Sequence, residues 1–256
     1  MLVKTNANQR IKFGNEKFQI LRNYPGINLG NTNDKGLGGL GCIDHSEVNP
    51  NFTVKMHEHQ NDEILSYIRQ GKVSHTDKRE HQKAEIISAD KLMLMNAGDS
   101  FWHEEETLGE RNLINMQLFV RPYEPNMKSG IQFFKLPSEK SKNKWRFLAG
   151  PEETGAPLFW RSAVWFYDLF LEKESIKIPE LEGKTGYLYL VSGNVEFNRN
   201  NLFLTAGDGL VIKNEKLEIS SDDSADILFF LIDESAKYSK AGTLSGQFSA
   251  IVFRFY

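Results

Sequence analysis

The sequence has very little cysteine and no long hydrophobic run. Cys42 is the single cysteine in 256 residues, so no internal disulfide can form, and this favours a reducing compartment. No window approaches the roughly 18 apolar residues of a membrane span. The first residues also lack the apolar centre of a signal peptide. We therefore expect a cytoplasmic protein that does not contact a membrane.

Excess charge of either sign is also absent. The formal net charge is -3, and no basic cluster of the nuclear-localisation type is present. This balance predicts no direct binding of nucleic acid. A hydrophobic content of 40% in a chain of this length is enough for one large or two smaller domains with real cores.

Amphipathic helical patterns of twelve or more residues are missing as well. Short β-rich runs follow one another at regular spacing from residue 51 onward, which indicates antiparallel barrels or sandwiches. A polar, Lys/Ser-rich segment at 136–144 interrupts them and is the best candidate for a linker. We predict an N-terminal domain at residues 1–137 and a C-terminal domain at 145–256.

The two halves resemble each other. A β-rich run ends at Gly71 in the first half and at Gly193 in the second, and each glycine is followed by a polar residue and valine. This hints at a duplicated barrel. Aligning the halves places Pro179 and Leu181 where the first half has His57 and His59, and places Ser221 near the position of His103. The second copy is therefore predicted to lack the polar site described next.

All six histidines lie between positions 45 and 103. In a strand, residues two apart point to the same face, so His57 and His59 should project together, as should His103 and Glu105. If the two strands are neighbours, three imidazoles and one carboxylate converge. That donor set suits one divalent transition metal, with Fe(II), Ni, Cu, Mn and Zn all open at this point.

A simpler interpretation applies to several of these residues. An isolated His-x-His pair is usually solvated, and residues 104–106 could form an exposed acidic run from which only strand parity singles out Glu105. His75 and His81 have no paired partner and are predicted to be surface or loop histidines. His45 lies in a turn-like stretch and is predicted to be solvated.

The pattern around these residues is similar to that of a known family. His57, His59, Glu63 and Gly71 resemble the first motif of the cupin superfamily. More narrowly, the pirin family's signature is matched by a longer series: His57, His59, Glu63, Ile64, Tyr67, Gly71, His75, Asp77, Met95, Ala97, Gly98, His103 and Glu105. The second half, with Gly193 and Ala206-Gly207-Asp208-Gly209, resembles the degenerate C-terminal cupin domain of pirins. The resemblance implies an all-β fold of two tandem cupin-type antiparallel barrels, a bicupin, with a metal site only in the first.

The sequence departs from the family in a few places. Glu58 stands where many members have proline, and Ser88-Ala89 replaces Pro-Gly before Asp90. The loop entering His103, residues 99–102, is bulkier than usual, which concerns substrate shape more than metal binding. The last stretch, residues 235–256, is not assigned by the resemblance.

The two levels of resemblance imply different carboxylate ligands. A general cupin would use Glu63 with the three histidines, whereas a pirin would use Glu105. Strand parity does not decide between them. We favour His57, His59, His103 and Glu105 as ligands, and assign Glu63 to proton transfer or to the surroundings of the ligands.

The pirin resemblance implies a mononuclear Fe(II) site and flavonol 2,3-dioxygenase (quercetinase) activity on a small aromatic substrate, with Glu63 or Glu105 accepting a proton. The alternative is an iron-dependent, redox-sensing regulator that acts through a protein partner. A drifted bicupin that binds nothing is a third alternative, and the presence of all four predicted ligands argues against it.

Overall fold

A computed structural model describes residues 1–30, 33–78, 84–137, 141–199 and 201–246. The β-rich runs of the sequence form nineteen strands within these ranges, so the prediction of an all-β fold is confirmed. The strands are β1 (Leu2–Thr5), β2 (Ile11–Gly14), β3 (Phe18–Asn23), β4 (Leu40–Val48), β5 (Thr53–His59), β6 (Glu63–Gln70), β7 (Lys72–Asp77), β8 (Ala84–Ser88), β9 (Lys91–Asn96), β10 (Phe101–Leu108), β11 (Leu113–Val120), β12 (Gly130–Lys135), β13 (Arg146–Gly150), β14 (Leu158–Phe159), β15 (Val164–Lys177), β16 (Thr185–Phe197), β17 (Phe203–Thr205), β18 (Gly209–Ile212) and β19 (Glu218–Ile232).

Short 3-10 turns lie at Ala7–Gln9 and Glu152–Thr154. In the described ranges, no helix combines the length and the hydrophobicity that crossing a bilayer requires.

Two curled sheets are built from the two halves of the chain. The first sheet has the order β2-β3-β4-β11-β6-β9-β8-β7-β10-β5, with β12 paired to β9. The second has the order β1-β18-β16-β19-β15-β13-β14, with β17 paired to β16. The pairs are antiparallel except for the short contact between β13 and β14. In the first sheet β5 lies at one end of the order, with β10 as its neighbour.

Gly71 and Gly193 occupy equivalent backbone conformations, as expected if the halves are related. Gly71 has φ +85° and Gly193 has φ +82°, a left-handed region in which a side chain is strained. An added Cβ at Gly193 would lie 2.0 Å from the carbonyl oxygen of Ser224. Both positions therefore need glycine for the same reason.

Three groups of buried apolar side chains stabilise the fold. One fills the first half and includes Ile64, Met95 and Phe119. Another fills the second half, and the third joins the halves, with Trp160 fully buried among side chains of both. The Trp160 indole N–H donates to the carbonyl of Val164 at 2.6 Å, which satisfies its one polar atom.

Strand β1 and residues 239–246 each cross to the opposite half. Strand β1 pairs with β18 of the second sheet, and residues 239–246 return to the first half, where Leu244 is buried. The predicted division at 137 and 145 stays a prediction. Three features named from the sequence fall wholly or partly outside the described residues: His81, the centre of the 136–144 segment, and the last ten residues.

Candidate metal centre

Strands β5 and β10 bring three histidines to one face of the first sheet. In the antiparallel register, His103 lies opposite His57 and Phe101 lies opposite His59. Directly opposite residues share a face, and alternation adds His59 to the same face as His57. Glu58 and Trp102, also opposite each other, alternate to the other face.

The three imidazoles are in contact with one another. Ring centroids of His57 and His103 are 4.3 Å apart, those of His57 and His59 are 5.0 Å apart, and those of His59 and His103 are 5.2 Å apart. One nitrogen from each ring lies within 4.8 Å of the others, a spacing that could hold a metal ion. The three histidines that the sequence singles out are therefore together in the structure.

A second group shares His103 and contains Glu105 and His75. On its other side β10 pairs with β7, which places Glu105 opposite His75. Potential ligand atoms of His75, His103 and Glu105 also lie within 4.8 Å of one another. A bulge between His103 and Glu105 shifts the register of the pairing with β5, so that Glu105 lies opposite Val54 rather than opposite a histidine.

The predicted surface position of His75 is wrong. His75 is in β7 with 1% of its surface exposed, between the buried Val73 and Asp77. The alternation of Val73, His75 and Asp77 is the signal that sequence reasoning missed, because all three share the inward face. His45 is likewise within strand β4 rather than in a turn.

Several buried polar atoms in this cluster have no hydrogen bond within the part of the chain that the structure describes. Within the described residues, both ring nitrogens of His103, Nδ1 of His59 and Oε1 of Glu105 are buried without a hydrogen bond. Each such group costs about 1–3 kcal/mol when left unsatisfied. Several such atoms close together are what a site for a bound ligand predicts.

The electrostatics favour the neutral form of His57 and His103. Burial, and then the neighbouring His59, lowers the pKa of His57 to about 4. Burial and the surrounding histidines hold the pKa of His103 well below its usual value. The Nδ1 atom of His57 is 2.8 Å from the carbonyl oxygen of Lys55, so Nδ1 carries the proton and Nε2 keeps a free lone pair. Neutral imidazoles are the form that binds metals.

Glu105 has the opposite perturbation. Its side chain is 12% exposed, and burial raises its pKa to about 7. A carboxyl group in this state is stabilised by a nearby cation, because positive charge compensates the cost of burying the carboxylate. The cluster therefore offers imidazole nitrogen and carboxylate oxygen atoms to a divalent cation.

Glu63 is engaged elsewhere. Its carboxylate is fully buried and accepts hydrogen bonds from the Arg161 guanidinium, 2.6 Å to Nη2 and 2.9 Å to Nε, and from the Asn96 amide. Among the described residues Glu63 belongs to neither metal-capable group. Its predicted part in proton transfer stays a prediction, one that these partners do not favour.

Comparisons with known proteins agree with this architecture. The family model for pirin matches residues 30–120, and the model for the quercetinase C-terminal cupin domain matches residues 147–232. A quercetin 2,3-dioxygenase of Escherichia coli is 21% identical over 233 residues, which cover 90% of this chain and 98% of that protein.

Solved structures show the same fold. The chain is similar to YhhW from Escherichia coli with a TM-score of 0.79 and 20% identity, covering 93% of this chain and 100% of that one. It is also similar to the bacterial pirin YhhW in complex with nickel(II), with a TM-score of 0.76 and 20% identity over 91% of this chain and 99% of that one. The predicted fold of two tandem cupin barrels is thus confirmed. With one family match on each half, the chain belongs to the pirin family.

Proposed function

We propose that this pirin is a metal-dependent oxidoreductase resembling quercetin 2,3-dioxygenase, with one divalent cation held by His57, His59, His103 and Glu105. One observation carries the proposal: three imidazoles converge, and buried ring nitrogens of His59 and His103 have no hydrogen bond within the described residues. The name of the Escherichia coli relative supports the reaction type.

The donor atoms fit a borderline transition metal. His103 belongs to both metal-capable groups, so a cation beside it could take His57 and His59 on one side and Glu105 on the other. We propose Fe(II), and Ni(II) is the first alternative because a structural neighbour is named as a nickel(II) complex.

A bound cation would supply Lewis-acid stabilisation and would orient the substrate oxygens and dioxygen. The protein's own part is proton handling and shielding. Glu105 is the favoured proton acceptor for the flavonol hydroxyl, because its Oε1 has no hydrogen bond among the described residues, whereas both oxygens of Glu63 are engaged. The buried imidazoles shield this position from bulk water.

The test is anaerobic loading with Fe(II), Ni(II), Cu(II), Mn(II) or Zn(II), followed by oxygen uptake with quercetin. We expect uptake with release of carbon monoxide in at least one metal form, and none in the metal-free protein. A His57→Ala, His103→Ala double variant should lose both metal and activity. Absence of uptake with every metal would refute the enzymatic proposal.

Metal binding without turnover would instead favour the regulatory alternative. In that case a pull-down should recover protein partners whose capture depends on His57 and His103. A double variant that holds metal as well as the parent protein would refute the site itself.

A further inference from the structure

The chain beyond β19 returns to the metal-binding half as a strap, defined here as residues 239–246. The Ser239 N–H donates to the carbonyl of Pro122 at 2.7 Å, and the Ser245 carbonyl accepts from Nε of Arg121 at 2.5 Å. Leu244 inserts into the apolar core of the first half. The strap is therefore an integral part of this half.

The strap is hydrogen-bonded to Gln60, the residue that follows the predicted metal ligand His59. The Thr243 N–H donates to the Gln60 carbonyl at 2.9 Å, and the Gln60 N–H donates to Thr243 Oγ1 at 2.8 Å. Gln60 follows His59 in the chain, so these two bonds fix the backbone at the end of β5.

Asp62 accepts hydrogen bonds from Leu244 and Ser245 of the strap. Its side chain is fully buried. The Leu244 N–H donates to Oδ2 at 3.0 Å, while the Ser245 N–H and hydroxyl donate to Oδ1 at 3.0 and 2.5 Å. Three donors from one segment hold the carboxylate in a single orientation.

The same carboxylate faces His59. Asp62 Oδ2 lies 3.8 Å from Nδ1 of His59, and this nitrogen is buried without a hydrogen-bond partner among the described residues. Histidines that bind metals usually donate their second ring N–H to a carboxylate or carbonyl, which fixes the tautomer and the ring orientation.

We infer that Asp62 is a positioning residue for the metal centre: it receives Nδ1–H of His59, so that Nε2 faces the cation, and the strap holds Asp62 in place. This inference rests on the proposed function, because it takes His59 as a ligand. If the inference is correct, metal affinity also depends on the hydrogen bond between Leu244 and Asp62, two residues that are 182 positions apart in the chain.

The Asp62→Asn variant tests the positioning role of the carboxylate while keeping a side chain of nearly the same size. The strap amides and the His59 N–H are all donors, and an asparagine offers one oxygen acceptor where the carboxylate offers two. Gly242→Ala perturbs the same group from the strap side, since an added Cβ would lie 2.3 Å from Asp62 Oδ1. Asp44→Asn is the control for loss of a buried carboxylate: Asp44 is also buried, but it pairs with Arg22 at 2.6 Å and not with the strap.

The measurements use the full-length protein and Ni(II) by titration calorimetry, with circular dichroism to verify folding. We expect Asp44→Asn to bind like the parent, and Asp62→Asn and Gly242→Ala to bind about 10–100-fold more weakly. If the parent binds Ni(II) and Asp62→Asn binds it with the same affinity, this inference is overturned but the proposed function is not. A parent protein that binds no metal would refute the proposed function as well.

Proton NMR of the Co(II)-loaded protein gives a second readout that a purely structural role would not change. The ring N–H of His57, held by the Lys55 carbonyl, should give a shifted, slowly exchanging signal in the parent and in Asp62→Asn. The corresponding signal of His59 should be slowly exchanging in the parent and lost to fast exchange in Asp62→Asn. Equal protection of both signals in Asp62→Asn would contradict the assignment.

Discussion

Replacing Glu105 with glutamine should stabilise the metal-free protein at pH 8 while weakening its metal binding. The Glu105 side chain is largely buried, and its Oε1 has no hydrogen bond among the described residues. Burial raises its pKa from 4.5 to about 7. The folded protein therefore resists the charged form of a residue that, in our proposal, must be charged to hold the cation.

The direction and the size of the expected change in stability follow from this pKa. A carboxyl group whose pKa is raised by folding contributes its full stability below pH 4.5, and that contribution is lost as the pH rises through 7. At about 1.4 kcal/mol per pKa unit, the loss by pH 8 is about 3 kcal/mol. Glutamine removes the charge but leaves a buried amide, so we expect a net gain of about 1–3 kcal/mol at pH 8 and little or none near pH 4.5.

Urea unfolding at pH 4.5 and pH 8 would measure this, in chelator and again with excess Ni(II). Glu104→Gln, on the opposite face of β10, is the control. Saturating metal should reverse the order, because the parent gains more binding free energy than the variant, about 2.7 kcal/mol at 100 times its dissociation constant. The reasoning is refuted if Glu105→Gln is less stable than the parent at pH 8 in chelator, or gains as much from Ni(II).

Other predictions concern the frame around the site. Glu63→Gln should destabilise the protein by about 3–5 kcal/mol in urea unfolding, because Arg161 keeps a buried charge without its partner; a loss below 1 kcal/mol would contradict this. Replacing Gly71 with alanine should lower the free energy of unfolding by about 1–2 kcal/mol because of backbone strain. Replacing Gly193 should lower it clearly more, since the added Cβ would also clash with the main chain. Equal melting temperatures of the two variants would contradict this. Because the pKa of His57 is lowered by folding, the protein should lose stability as the pH falls from 6.5 toward 4. A chelating dye should detect release of the metal over the same pH range. Retention of the metal at pH 4 would contradict this prediction.

Much of the site could be predicted from the sequence because it depends on local periodicity. His57 and His59 are two apart in one strand, as are His103 and Glu105, and alternation alone orients each pair. The restriction of every histidine to positions 45–103 indicated the half in which the His/Glu cluster lies. The same rule, applied to β7, would have placed His75 inward as well.

The rest depends on contacts that no local pattern contains. Glu63 has the same parity as His57 and His59, but the chain reverses at Asn61, which adopts φ +55°, so parity does not carry across the turn. The partner of Glu63, Arg161, is 98 residues away. The strap that fixes Asp62 is farther still, and residues 235–246 have no strand or motif that would locate them.

The second barrel shows that the fold does not itself require a polar cluster at this position. Leu181, which aligns with His59 in the comparison of the halves, is buried in the apolar core of the second half. Apolar filling stabilises a barrel by about 25 cal/mol per Å² of buried surface, whereas unsatisfied imidazole and carboxyl groups reduce its stability. The first barrel thus carries a free-energy cost that the second avoids. Since a bound cation would satisfy these groups and offset that cost, the contrast between the halves supports a metal centre independently of any similarity to other proteins.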